Sequence, residues 1–181
     1  MKIILSSLES PLGAMLLATD EQRRVRALEF VERRSRLHRN LQAQYGTVEL
    51  TDGPAPAVVA DALSRYFAGE LKALDHVEVA TAGTDLQERI WAALRRIPAR
   101  QTTTYGALGR SAGITDWRAA VEAGAAVGAN PIAIIVPCHR VVGANGDLKG
   151  FAWGLHRKRW LLEHEDVIEA RPAVPHTAPL F

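Results

Sequence analysis

Apolar positions in the first third of the chain fall in blocks of strand length. Lys2–Ser7, Ala14–Ala18 and Val25–Val31 are the three candidates, and Glu9-Ser10-Pro11-Leu12-Gly13 between the first two carries turn chemistry. Arg33–Gln44 is polar and basic and reads as a surface helix. Gly53-Pro54-Ala55-Pro56 breaks the chain before a helical pattern from Val58 to Phe67, ended by Gly69. Residues 1–80 thus read as a small mixed α/β domain, and nothing in them resembles a catalytic constellation.

The period changes near Thr81-Ala82-Gly83. Thr84-Asp85-Leu86-Gln87 has the form of a capping box, in which the Thr84 hydroxyl accepts from the Gln87 N–H and the Gln87 side chain reaches back. Ile90, Trp91, Leu94 and Ile97 follow at helical spacing up to Pro98, which makes Trp91 a core residue. Two short helices are expected next, Tyr105–Ser111 and Asp116–Gly128, with Ala112-Gly113 between them. Such a pair fits a helix-turn-helix whose second helix enters a DNA groove, although many pairs of this kind never touch DNA. Ile132–Val136 reads as a buried extended segment, and a last helix covers Arg157–Glu165. The fold class is therefore α+β/α: a small N-terminal mixed α/β domain, a mainly helical C-terminal domain over 84–166, and a tail over 167–181.

Composition narrows the class. Apolar residues are 48% and charged residues 23% of 181, which is globular and not disordered. No apolar run reaches the ~20 residues of a membrane span, and the N-terminus is too weakly apolar for a secretory signal. A single cysteine, Cys138, excludes an intrachain disulfide and a multi-thiolate zinc site, and suits a reducing, cytoplasmic location. The net charge of +2 is unevenly spread: residues 85–160 carry 11 Lys/Arg against 5 Asp/Glu. That block suits a polyanion, and an ordinary solvated surface would look the same.

Chemistry points to Cys138. A lone cysteine is usually a small buried hydrophobe. Here it follows Pro137 at the end of an apolar segment and precedes His139 and Arg140, an arrangement that can hold a thiolate at the wall of a cleft. Adjacent residues of an extended chain point apart, so His139 would need a turn or a bridging water to act on it. Glu165 is the carboxylate available to orient His139, a contact that spacing alone leaves open.

Pro137-Cys138-His139-Arg140-Val141-Val142, with Asn130-Pro131-Ile132-Ala133-Ile134-Ile135-Val136 before it and Leu161-Leu162-Glu163-His164-Glu165 after it, resembles the O6-alkylguanine-DNA alkyltransferases, or methylated-DNA–protein-cysteine methyltransferases. The likeness is close over about 84–166. It is looser before that, through Ser10-Pro11-Leu12-Gly13 and Tyr66-Phe67-Ala68-Gly69-Glu70-Leu71. It implies a monomer that binds double-stranded DNA through the minor groove, flips out an O6-alkylated guanine and takes the alkyl group irreversibly onto Cys138. It also implies that His139 deprotonates Cys138 through a water, with Glu165 behind it and Asn130 holding the turn near the thiol. A helix C-cap is the plainer role for Asn130. Tyr105 would act near the target phosphate or on the leaving guanine. Val141, Phe151, Ala152 and Trp153 would line the base pocket, with the carbonyls of Cys138 and Val141 accepting from the guanine amino group. No cofactor or metal is implied.

Three departures from the family pattern carry expectations. Phe151 stands where the family has tyrosine, which keeps stacking and loses a hydroxyl. Trp153 stands where glycine is common and is expected to narrow the pocket, so that benzyl adducts react more slowly than methyl. Val121 occupies the position where the family places the arginine that fills the gap left by the flipped base. Arg118 is then expected to supply the charge from a shifted position, or Trp117 or Val121 to act as an apolar wedge. Arg118, Arg140, Lys149, Arg157 and Lys158 are expected phosphate contacts, with a structural role for Arg140 equally open. An alkylated-DNA recognition module with weak or no transfer, because replacement of the usual arginine weakens base flipping, and a cysteine hydrolase using Cys138, His139 and Glu165 are the competing functions.

Overall fold

The computed structural model describes residues 1–169, so the expected tail lies outside the described residues from residue 170 onward. Strands β1 (Lys2–Leu8), β2 (Met15–Asp20), β3 (Val25–Phe30) and β4 (Glu49–Asp52) form a sheet in the order β3-β2-β1-β4. β1 and β2 pair antiparallel, as do β2 and β3, while β4 returns parallel to β1 after helix α1 (Arg34–Tyr45). β4 was not evident from the sequence; its Glu-Leu-Thr-Asp is too polar to show an apolar face.

Every residue of β2 is buried, because both faces of the sheet are covered. Leu16 and Ala18 join Ile3, Leu5, Ala27, Leu37 and Leu41 under α1. Met15 and Leu17 face the opposite way, into the main core with Leu28, Phe30, Tyr66, Ile90 and Ile132. That core is shared with helices α2 (Ala57–Phe67) and α3 (Asp85–Arg95), so the helical part of the chain is built on the sheet's second face. α3 opens on the anticipated capping box at Thr84, and Trp91 is buried with its Nε1 donating to the Ala126 carbonyl at 2.9 Å.

Beyond α3 come β5 (Thr103–Thr104), α4 (Tyr105–Ser111), α5 (Ala119–Gly128), β6 (Val141–Val142, parallel to β5) and α6 (Leu155–His164). α5 starts later than the expected Asp116. The Asp116 carboxylate accepts from the Arg118 N–H at 2.9 Å, which shapes a turn ahead of the helix. The segment 132–136 is buried as expected but is not a strand. Only its start is extended, where Leu28 N–H donates to the Pro131 carbonyl at 3.1 Å and Ala133 N–H to the Leu28 carbonyl at 2.9 Å. Ile134 then takes a positive φ of 66° and Val136 N–H turns back to the Ile132 carbonyl. The edge of β3 therefore anchors the chain just after Asn130, at the start of the cysteine loop. Among the described residues no helix is long and apolar enough to cross a membrane.

Candidate active site around Cys138

The loop from Asn130 to Arg140 is held from inside by one amide. Asn130 is buried; its Nδ2 donates to the Val136 carbonyl at 2.9 Å and its Oδ1 accepts from Ile132 N–H at 3.0 Å. This closes the loop and delivers Pro137 to a 3-10 turn spanning Cys138–Arg140. The turn is the element that periodicity could not supply, since it brings neighbouring side chains off the strict alternation of a strand.

Cys138 is 2% exposed, and burial pushes its thiol up to about 11 against the pull of the Asn130 amide and the positive charges of Lys158 and Arg36. The expected thiolate at an open wall is thus corrected: the side chain is buried, and burial favours the neutral thiol. His139 is fully buried, and burial pulls it below its usual range even though Glu165 favours its charged form. Its Nε2 lies 2.8 Å from Glu165 Oε1. Burial opposes ionisation of Glu165, yet His139 and Arg140 override it and hold the carboxyl well below the ordinary carboxylate range. An ionised carboxylate only accepts, so Nε2 carries the imidazole proton. Nδ1 is left as the basic nitrogen, and it has no hydrogen-bond partner among the described residues.

Glu165, at the C-cap of α6, is saturated with donors. Tyr66 Oη donates to Oε1 at 2.7 Å, Arg140 Nη2 to Oε1 at 2.9 Å and Arg140 Nε to Oε2 at 2.9 Å. Arg140 also donates to the Ile97 carbonyl at 2.6 Å and is buried, so its expected place among the DNA contacts is overturned in favour of the structural role. Two other expected phosphate contacts are likewise spent inside. Lys158 is fully buried, with Nζ donating to the carbonyls of Val141 at 2.5 Å and Lys149 at 2.8 Å; burial lowers its ammonium to about 8. Arg157 donates to the Leu12 and Trp153 carbonyls and pairs with Glu32.

Around this centre, Tyr105 at the start of α4 is half-buried and donates to the Lys149 carbonyl at 3.1 Å. Val141 is buried and already gives its carbonyl to Lys158. Phe151 and Ala152 are partly buried, and the Phe151 ring meets Trp153 edge-on at 5.1 Å. Trp153 does not line a cleft. It is 1% exposed in the core, its Nε1 donates to Glu29 of β3, and the Arg36 guanidinium stands over its ring at 5.1 Å. The size restriction expected from it loses its basis for that reason. At the other extreme, Trp117 and Val121 are 84% and 69% exposed at the start of α5, and the intervening Arg118 is paired with Asp116 and Glu122.

Sequence reasoning missed three groups supplied by the N-terminal part: Tyr66, Glu29 and Arg36. Arg36 pairs with Glu29 at 2.7 Å and donates to the carbonyls of Gly128 at 2.9 Å and Asn130 at 3.1 Å. A polar residue amid the apolar positions of a strand was the available signal for Glu29; for the other two nothing in the local pattern distinguishes them from surface or core. A cavity of about 780 Å³ lined by Arg65, Leu71, His76 and Ala99 lies outside this cluster. Among the described residues no group of His, Cys, Asp and Glu side chains is arranged to hold a metal ion.

Two family models match: the 6-O-methylguanine DNA methyltransferase ribonuclease-like domain over residues 3–81 and the DNA-binding domain of the same proteins over 85–167. The methylated-DNA–protein-cysteine methyltransferase of Salmonella typhimurium is 42% identical over 167 residues, covering 91% of this chain and 96% of that protein. The chain belongs to the 6-O-methylguanine DNA methyltransferase family. Its N-terminal sheet domain and helical DNA-binding domain match the O6-methylguanine methyltransferase of Mycobacterium tuberculosis, with a TM-score of 0.73, 36% identity and 94% and 96% of the two chains covered. A structure of the M. tuberculosis protein in complex with DNA matches with a TM-score of 0.74 and 38% identity, over 90% of this chain and 92% of that one. The family thus makes the protein a DNA-binding methyltransferase of DNA repair.

Proposed function

We propose that the protein transfers an alkyl group, methyl above all, from O6 of guanine in double-stranded DNA to the sulfur of Cys138, once per chain. The observation that carries this reading is the buried His139–Glu165 pair directly after Cys138 in one 3-10 turn, with the basic Nδ1 of His139 left without a partner among the described residues while Nε2 is held on Glu165. The thiol proton passes to His139 through a water. Sulfur then attacks the alkyl carbon, the carbon–O6 bond breaks, and its electrons stay on the guanine oxygen. The proton returns to the guanine, so the step balances without a cofactor.

Burial of the thiol means that its proton leaves only as the base arrives, because desolvation opposes a standing thiolate. The target guanine is flipped from the minor-groove side into a pocket formed by Tyr105, Val141, Phe151 and Ala152, with Tyr105 releasing the Lys149 carbonyl to meet the DNA. Trp117 and Val121 face the duplex at the start of α5, where an apolar wedge can occupy the space left by the base. Arg118 is paired with two carboxylates of its own neighbours and contributes less. The protein works as a cytoplasmic monomer.

The buried, un-ionised thiol favours one second reading, recognition of alkylated DNA with weak transfer. Intact-mass analysis after incubation with O6-methylguanine duplex separates the readings. One added methyl on Cys138, absent in Cys138→Ser, is the expected result. Tight binding without mass gain supports recognition alone, and repeated turnover of substrate supports a hydrolase.

A further inference from the structure

The helical domain does not hold its carboxylate alone. Glu165 Oε1 receives three donors, and one of them, the Tyr66 hydroxyl at 2.7 Å, comes from α2 across the domain boundary. Tyr66 is fully buried, its backbone carbonyl meets His164 Nε2 at 2.7 Å, and its ring meets His164 edge-on. Burial and the Glu165 charge raise its ionisation well above the usual tyrosine range, so the group stays an O–H donor. We propose that Tyr66 is a positioning residue of the transfer reaction: its hydroxyl occupies a lone pair of Glu165 Oε1 and so limits how strongly that carboxylate holds a proton on His139.

The physical argument is competition at one oxygen. A carboxylate with fewer donors carries more charge toward the imidazole and raises its basicity. The groups facing Glu165 are Tyr66 from α2 and His139 and Arg140 from the 3-10 turn. His139 also feels the charges of Arg140 and Lys158. Of these, Arg140 is permanently charged and Tyr66 is the neutral donor, so Tyr66 can be removed without leaving an unpaired buried charge. This inference rests on the reading of His139 as the base, in which the Cys138–His139 pair shares one proton in the reactive state. Both limbs of its pH profile belong to the pair. Loss of the hydroxyl makes the pair more basic and moves both limbs to higher pH.

The test is single-turnover methyl transfer from O6-methylguanine duplex across pH, in the full chain, for wild type, Tyr66→Phe and a protein with 3-fluorotyrosine at position 66. Phe is expected to shift both limbs up by about half to one unit, which slows the acidic limb by roughly 3- to 10-fold. Fluorotyrosine, a stronger donor of the same shape, is expected to shift them down. Packing damage lowers the rate by a common factor at all pH values, so coincident limbs overturn the proposal. The His139 imidazole is followed by NMR in the same three proteins without DNA. A shift of its titration in opposite directions supports the proposal even where wild type shows no methyl transfer, which would sink only the functional reading. An identical His139 charge state throughout all three overturns it.

Discussion

α4 and α5 meet at Gly109, and replacing it with alanine tests whether their spacing places the duplex. A Cβ there would lie 2.3 Å from the Ala119 carbonyl oxygen, 2.8 Å from its carbon and 3.0 Å from its Cα. All three are backbone atoms, so no rotamer change relieves the clash. Restoring non-bonded separations of about 3.5 Å requires α5 to move by about 1 Å at its first turn. Overpacking of this kind costs about 1–3 kcal/mol, and the better helix propensity of alanine returns up to about 1 kcal/mol. A net loss of about 1–2 kcal/mol corresponds to a fall in melting temperature of roughly 2–8 °C at this chain length. The same displacement moves Trp117 and Val121 relative to the thiol. Methyl transfer from duplex is expected to fall by about 10- to 100-fold, while reaction with free O6-methylguanine base changes little because it needs no docking. Thermal melting and single-turnover transfer with the two substrates make the comparison. Unchanged melting together with unchanged duplex transfer would refute the reasoning.

Other substitutions probe the remaining contacts. Glu165→Gln leaves buried Arg140 without its counter-charge and is expected to cost about 3–5 kcal/mol and abolish transfer, as read by denaturant unfolding and mass gain. Because the Glu165 carboxyl is held below its usual range, its contribution is full above the ordinary carboxylate value of about 4.3 and is lost as pH falls through the lower folded value. Wild-type stability should therefore drop on acidification below about pH 5 more steeply than that of the Gln variant, and parallel curves would exclude Glu165 as the source. Trp153→Phe keeps most of the ring but takes a donor from buried Glu29, for an expected loss of about 1–3 kcal/mol; equal unfolding midpoints would show that this bond adds nothing. Trp117→Ala is expected to weaken binding to O6-methylguanine duplex by about 1–3 kcal/mol, while Arg118→Ala, already paired with Asp116 and Glu122, changes it little. The reverse order in a titration at fixed salt would reinstate Arg118.

Local pattern carried the fold a long way and the site part of the way. The capping box at Thr84, the core position of Trp91 and the approximate span of α4 follow from neighbours in sequence, and all are in the structure. The polar β4 carried no periodic signal, and the turn at 132–136 depends on Asn130 bonding in both directions inside a loop. Basic residues were legible as charge but not as address. Arg140, Arg157 and Lys158 differ from exposed residues of their own kinds only in what other elements set beside them.

By itself the sequence determined which side chains are chemically able to act: one thiol, an imidazole beside it and a carboxylate further on, within a motif specific to one family. Tertiary structure decided their states. Packing against the sheet domain buried Cys138, and the 3-10 turn set His139 on Glu165. Tyr66 and Arg36 came in from segments distant in sequence. Ionisation depends on burial and on charges brought close in space, and neither quantity is a property of neighbouring letters in a chain.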